Sequence, residues 1–347
     1  MRLELTDDER TIEEVFGGFF RNECPTALVR AAEPLGFDRG LWARLTELGA
    51  PAMGLSEARG GGGATLTDLA IVAEHVGRSI APVPFVEHVT ALRLLDACGA
   101  VTDALRDGVE IATVALGPVR TDRWPLVPAG AVASTVVGMV GDDLVAVRSD
   151  APGSAPSNHA CMPIADRSVE GATVLASGAA AHRALAVARA EWQTLTAAAL
   201  VGIARSALDL ALVYVNERHQ FDRPIGAFQA VQHQLADLPI ALEGAGLLAA
   251  KAAWAGDRGT PGLVSIDTCD ITDFTALAAM AFLYTSDTAT LATDRSLHVH
   301  GGYGFSEEYD IQLYYRRARG WSLIAGDPAR ECRSLADVMF GPVEEVV

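Results

Sequence analysis

Residues 295–317 read Arg-Ser-Leu-His-Val-His-Gly-Gly-Tyr-Gly-Phe-Ser-Glu-Glu-Tyr-Asp-Ile-Gln-Leu-Tyr-Tyr-Arg-Arg. A Gly-Gly-X-Gly turn, Gly301–Gly304, sits here between two stretches of helical periodicity. Glycines at such a turn let backbone N–H groups approach a phosphate or a ring edge with no side chain in the way. About eighty residues upstream lies a second distinctive run, Arg218-His-Gln-Phe-Asp-Arg-Pro-Ile-Gly-Ala-Phe-Gln-Ala-Val-Gln-His-Gln-Leu-Ala-Asp237. A glycine cluster alone is a weak signal. The pair, in this order and at this separation, is a strong one.

Outward from these motifs the chain is predicted to be helical. Periodicity marks helices near 180–217, 226–256, 268–294, 307–320 and 328–340, and long helices joined by short loops predict a bundle over 178–347. The Ala-rich segment 193–213 is interrupted by Arg205 and Asp209 and reads as a buried core helix rather than a lipid-spanning one. Residues 110–177 have another texture. Short runs such as Ile111–Ala115, Ala131–Val137 and Leu144–Val147 alternate with Gly, Pro, Asp and Ser. They predict a small antiparallel β-domain with a hairpin turn at Gly141–Asp143 and a loop over Pro152–Asn158. Residues 1–109 return to helical spacing. Thr6-Asp-Asp-Glu opens one helix with acidic residues in its first turn, and further helices follow over 38–49, 65–78 and 87–97. The glycine run Gly60–Gly63 lacks the Gly-Lys-Ser/Thr of a phosphate loop and reads as a flexible connection. The expected class is therefore α+β, mainly α, with a helical domain, a β-domain and a helical bundle in that order.

Composition narrows the function. The chain has 347 residues, half of them hydrophobic, and a net charge of −17. That acidity argues against a nucleic-acid partner, which needs clustered Lys and Arg. Five scattered cysteines (Cys24, Cys98, Cys161, Cys269, Cys332) contain no CxxC pair and predict free thiols in a reducing cytosol. No signal peptide and no membrane span are expected, so the localisation expected is cytoplasmic.

The two motifs and the α–β–α layout resemble the acyl-CoA dehydrogenase family, a family of FAD-dependent flavoproteins. The resemblance covers the whole chain and is specific from about residue 200 onward. It implies an N-terminal helical domain, a middle β-domain and a C-terminal four-helix bundle. It implies FAD at a subunit interface in a dimer or tetramer, and α,β-dehydrogenation of an acyl-CoA thioester. In that reaction a carboxylate removes the α-proton while the β-hydrogen leaves as hydride to the flavin. Residue by residue, the resemblance makes Arg218 and Phe221 contacts to the flavin pyrophosphate and adenosine. Gln220 becomes a polar contact and Gln229 the following glutamine. A guanidinium suits a pyrophosphate because its planar fork donates two hydrogen bonds at once. Gly301, Gly302 and Gly304 approach the adenine–pyrophosphate end, with His298 where the family usually has Gln. The two segments are expected to serve one flavin from different chains. His300 reads as a packed residue, and Glu308 and Arg316 as charges that stabilise the bundle.

The chain departs from the family pattern in two places. The base is commonly a Glu in a Tyr-Glu-Gly-Thr segment. Here Ile324-Ala-Gly-Asp327 stands there, with Ala325 at the base position and Asp327 reading as a helix N-cap. A second family location for the base falls at Trp192. Glu191, one residue and about 100° of helix away, is the carboxylate candidate, against the plainer reading of an exposed helical Glu. The family's Thr-Glu-Pro-X-X-Gly-Ser-Asp-like segment is also missing from the β-domain. These absences resemble short members that work as paired, unlike subunits. Three readings follow. One is an acyl-CoA dehydrogenase acting on a bulky or branched acyl group such as a sterol side chain. The others are a non-catalytic partner subunit of a heteromeric enzyme and a flavin-free structural paralogue.

Overall fold

The computed structural model describes residues 4–259, 264–265 and 270–341. Cys269 and the predicted start of the 268–294 helix lie outside them. The chain begins with α1 (Asp7–Glu23), α2 (Thr26–Ala32), α3 (Arg39–Glu47), α4 (Leu66–Arg78), α5 (Phe85–Ala97) and α6 (Asp103–Arg106). Strands β1 (Ala112–Val114), β2 (Arg123–Val127), β3 (Thr135–Val140), β4 (Asp143–Arg148), β5 (Ala165–Ser168) and β6 (Thr173–Ser177) follow. The chain then returns to helix in α7 (Gly178–Glu217), α8 (Gln229–Ala236), α9 (Leu238–Asp257), α10 (Phe274–Val299), α11 (Ile311–Ser322) and α12 (Pro328–Phe340).

Local chemistry explains the helix starts. Thr6 caps α1 reciprocally: its hydroxyl accepts from the Glu9 N–H at 3.2 Å, and the Glu9 carboxylate accepts from the Thr6 N–H at 2.6 Å. Thr65 and Asp68 form the same box at α4. Asp327 caps α12 and accepts from the Ala329 N–H at 3.0 Å, as expected of it. Asp273 caps α10. The glycine run before α4 is an ordered turn, not a flexible connection. The Gly63 N–H donates to Leu55 O and the Ala64 N–H to Met53 O, each at 2.8 Å, and a Cβ on Gly61 would run into the Leu55 and Ala52 carbonyls.

α7 is 40 residues long, which corresponds to about 60 Å of helix. Its middle third, 190–204, is buried on every side. This is the Ala-rich core segment expected from the sequence. α4 crosses it so closely that Cβ atoms on Gly77 and Gly202 would strike the carbonyls of Ala199 and Glu74. α9, α10 and α11 complete the bundle around it. Two predicted helices are corrected. The 226–256 helix is two helices that meet at Asp237, with Pro239 in the first turn of α9. The 307–320 helix starts only at Ile311.

The β region holds one sheet in the order β1-β3-β4-β6 and a ribbon of β2 with β5. It is antiparallel except that β1 runs parallel to β3. β3 and β4 are joined across Gly141-Asp142, with Gly141 at φ +61°, the hairpin expected there. Trp124 is fully buried, and its indole N–H donates to Met139 O at 3.0 Å. Buried Arg167 donates to Gly130 O at 2.7 Å, to Ala133 O, and to the Ser149 hydroxyl at 2.6 Å. α11 ties the bundle to the N-terminal helices: Arg316 meets Glu33 at 2.7 Å, and the Tyr314 hydroxyl donates to Arg78 O at 3.0 Å.

Candidate functional site

α7 ends at Glu217, and residues 219–224 turn back in a two-stranded hairpin. Its tip residues Phe221 and Asp222 have φ of +53° and +63°. A bulky side chain in the left-handed region is costly, of order 1–3 kcal/mol, and such strain gathers at functional sites. The strained Phe221 ring is 87% exposed. It packs edge-on against Phe228 at 6.1 Å, and the Arg223 guanidinium lies 4.1 Å over the Phe228 ring.

The Gly301–Phe305 turn sits beside this hairpin. Arg218 lies 5.9 Å from the centroid of the Tyr303 ring, in a cation–π arrangement within one protomer. The two segments, expected to serve one flavin from different chains, lie side by side on one surface of one chain. Gly301 has φ +61°, and no atom lies within 4 Å of where a Cβ on Gly301 or Gly302 would stand. Gly304 faces inward, where a Cβ would crowd Leu297 O. Arg218, Gln220, Gln229 and His298 are all exposed. The Gln220 amide donates to His219 O at 2.8 Å, and Gln229 opens α8. His300 is buried: it stacks on Tyr214 at 4.2 Å, and its Nδ1 lies 2.7 Å from Ser296 O. Burial lowers its pKa, so it is a packed neutral residue as expected. Exposed Tyr303 and Phe305 extend the aromatic surface. A planar cation, an open glycine backbone and several exposed rings are what the pyrophosphate and adenine of FAD require, so the residues present fit that group. Arg316 pairs as expected, whereas Glu308 is exposed and forms no ion pair among the described residues.

The base position is different. Ala325 is met by Arg189 of α7, whose Nη2 lies 3.4 Å from Ala325 O. The same guanidinium donates to Leu116 O at 2.9 Å and to the Glu331 carboxylate at 2.7 Å, and Gln193 donates to Glu331 at 3.3 Å. A polar network thus runs from Leu116 past Ala325 to α12. Trp192, the second family location, is buried against Phe282 at 5.5 Å.

Glu191 is not the exposed helical Glu of the plainer reading; only 6% of it is exposed. Its Oε1 accepts from Arg93 Nε at 3.0 Å and lies 2.9 Å from Nη2 in an ion pair. It lines a cavity of about 570 Å³ with Arg93 and Arg183, and none of Arg189, Gln193, Leu116, Ala325 or Glu331 lines that cavity. Two further buried groups escaped the sequence reading. Glu87 of α5 is buried at the junction with Arg317, Trp321 and the β-region residues Ala129 and Met162. Burial raises its pKa to about 7, opposed by its own backbone N–H, by the neighbouring Trp192 indole and, least, by the Arg317 charge. Glu87 Oε1 and the indole nitrogens of Trp192 and Trp321 have no hydrogen-bond partner among the described residues. A charged residue predicted on a buried helix stripe was the signal available: Glu87 falls within a run of apolar positions of α5.

Fold and surface together describe a flavin-fold protein. Residues 6–100 match the acyl-CoA dehydrogenase N-terminal domain and residues 178–340 the acyl-CoA dehydrogenase C-terminal domain. The chain belongs to the acyl-CoA dehydrogenase family. It is 29% identical to the acyl-CoA dehydrogenase IpdE2 of Mycolicibacterium smegmatis, over 97% of this chain and 100% of that protein. It is 28% identical to the benzylmalonyl-CoA dehydrogenase of Aromatoleum aromaticum, over 94% and 96% of the two chains. Among solved structures, a variant of the Tcur3481-Tcur3483 steroid ACAD superposes with TM-score 0.82 at 26% identity, covering 96% of this chain and 97% of that one. The ChsE4-ChsE5 complex from Mycobacterium tuberculosis gives TM-score 0.80 at 22% identity, covering 99% and 100%, and shares the fold.

Proposed function

We propose that this chain is the flavin-facing partner subunit of a heteromeric acyl-CoA dehydrogenase. It lends Arg218, Gln220, Phe221, Gln229, His298 and the 301–304 turn to an FAD shared with an unlike chain. The unlike chain supplies the carboxylate that takes the α-proton of an acyl-CoA, and FAD, when bound, supplies the hydride acceptor for α,β-dehydrogenation. Ala325 and its surroundings carry the reading. Where the family resemblance puts the base, Ala325 offers a methyl group that accepts no proton, and Arg189 lies beside it, bonded to Leu116 O, Ala325 O and Glu331. A base must come within about 3 Å of the proton it removes, or one water away. Glu191 is held by Arg93 in a separate cavity, which argues against that role. The acyl group is read as bulky, of the sterol side-chain kind, in keeping with the steroid ACAD that this chain resembles.

The test is spectroscopic. The chain is purified alone and together with candidate unlike acyl-CoA dehydrogenase chains, and the flavin band is followed on adding an acyl-CoA. Bleaching is expected only for a pair. Bleaching by the chain alone, with turnover, would overturn the proposal.

A further inference from the structure

Where α5, α11 and the β region meet, the chain encloses a cavity of about 10 Å³. One water molecule needs about that much room, and no larger ligand fits it. Glu87 lines it from α5, and Arg317 and Trp321, about one turn apart on α11, line it from the bundle. Ala129 and Met162 of the β region close it with apolar atoms, and Gly36 closes it with backbone. Gly36 has φ +77°, and a Cβ there would strike the Cys161 carbonyl. The turn at Gly36 and the segment before β5 are thus already in contact, and the wall cannot close further.

The polar atoms on this cavity are left over. Glu87 is 4% exposed, Trp321 3% and Arg317 7%. Glu87 Oε1 and Trp321 Nε1 are buried without a hydrogen-bond partner among the described residues. Arg317 donates through Nε to Ala160 O at 3.1 Å. It lines the same cavity as Glu87, yet the two form no ion pair among the described residues. Buried donors and acceptors are paired in native interiors, with protein or with ordered water. A lone acceptor, a lone donor and a guanidinium around one water-sized space are what an internal water satisfies.

We propose that this cavity binds one internal water, which accepts from the Trp321 indole N–H and the Arg317 guanidinium and donates to Glu87 Oε1. Three such bonds are the usual complement of a buried water. The water makes Glu87 and Arg317 partners at one remove and ties α5 to α11 beside the β region. The proposal stands apart from the flavin reading, since none of the residues given to FAD lines this cavity.

A crystal structure of the wild-type chain, in the assembly it purifies in and at a resolution that shows ordered solvent, is the first test. One water is expected within about 3.2 Å of both Glu87 Oε1 and Trp321 Nε1. A dry cavity, a water touching neither atom, or a direct bond from Trp321 or Arg317 to Glu87 would each overturn the proposal. A second measurement reads the same water in solution. In protein with nitrogen-labelled tryptophan, the Trp321 indole proton is identified by its loss in Trp321→Phe. It should cross-relax with a long-lived water. The Trp124 indole, which donates to Met139 O at 3.0 Å, should not. A resolved Trp321 signal with no water contact would also overturn the proposal. Glu87→Gln keeps an oxygen acceptor and should keep the water, whereas Glu87→Leu should lose it. A water retained in Glu87→Leu would show that Glu87 does not hold it. The wild-type crystal structure decides the matter if either the Leu or the Phe variant fails to fold.

Discussion

Arg218 lies over the ring of Tyr303, 5.9 Å from its centroid, and so joins two motifs that stand 85 residues apart in the chain. The contact holds the guanidinium beside the Gly301–Phe305 turn. A helix-terminal arginine answering only the helix dipole would need no such partner.

Arg218→Ala should therefore cost flavin. Loss of a charge-assisted bidentate contact is worth roughly 1.5–3 kcal/mol, or about one to two orders of magnitude in FAD affinity. The ratio of flavin to protein absorbance in the purified assembly measures it. Unchanged flavin content would remove the basis for placing FAD here.

The surface around that pair also predicts association. Phe221 is 87% exposed and Phe305 71%, more apolar surface than water-facing residues ordinarily show. Light scattering at micromolar concentration should give a mass well above the 36.4 kDa of one chain. Phe221→Asp should lower that mass or weaken association. A monomer mass for the wild-type chain in the presence of its partner would contradict this.

Much of this was legible in the residues, and the reason is locality. The helix start at Thr6, the Asp327 cap and the hairpin turn at Gly141–Asp143 are decided by residues within four positions of one another, and each formed as read. The flavin-motif residues were found through a family likeness for the same reason: each motif is one short segment. What the sequence hid is non-local. Arg93 finds Glu191 across 98 residues, and Arg189 finds Glu331 across 142. No periodicity announces such pairs, so Glu191 passed for an exposed helical residue. The break at Asp237 was disguised by an unbroken Ala- and Leu-rich pattern, although Pro239 marked a new first turn.

The Arg93–Glu191 pair should matter for stability more than for chemistry. Its Glu side chain is 9% exposed, and removing one partner of a buried pair strands the other charge, at a cost of about 3 kcal/mol. Glu191→Ala should lower the urea midpoint accordingly. The milder Glu191→Gln should leave acyl-CoA turnover of the assembled enzyme within a few-fold of wild type. Abolished turnover with FAD still bound would make Glu191 the base after all.

Glu87 gives a pH signature. Burial lifts its folded pKa from 4.5 to about 7, with its own backbone N–H, the Trp192 indole and Arg317 pulling the other way. The folded state thus keeps a proton that the unfolded state releases between these values. The stability this contributes is full below about pH 4.5 and is lost as pH rises through 7, a change of about 3 kcal/mol at most. Buried His88, whose pKa falls to about 3, acts in the opposite direction, so the comparison must be between proteins differing only at 87. Glu87→Gln should be more stable than wild type at pH 8 and close to it at pH 5, as read from urea midpoints. An equal difference at both pH values would show that Glu87 does not titrate in this range.

Restoring the missing carboxylate should not restore the chemistry. Ala325→Glu would place a carboxylate beside Arg189, whose Nη2 already lies 3.4 Å from Ala325 O and whose guanidinium is 2.7 Å from Glu331. The new group would compete with Glu331 for one cation and be held ionised as an ion-pair partner, with its lone pairs committed to guanidinium N–H groups. Arg189 also bridges to Leu116 O at 2.9 Å, which keeps it in place. The expected result is a folded Ala325→Glu chain with no acyl-CoA-dependent flavin bleaching on its own. The double variant Ala325→Glu with Arg189→Ala frees the carboxylate and is the stricter test. Turnover by the single variant alone would mean that only the base was missing, and that this chain carries the rest of a complete active site.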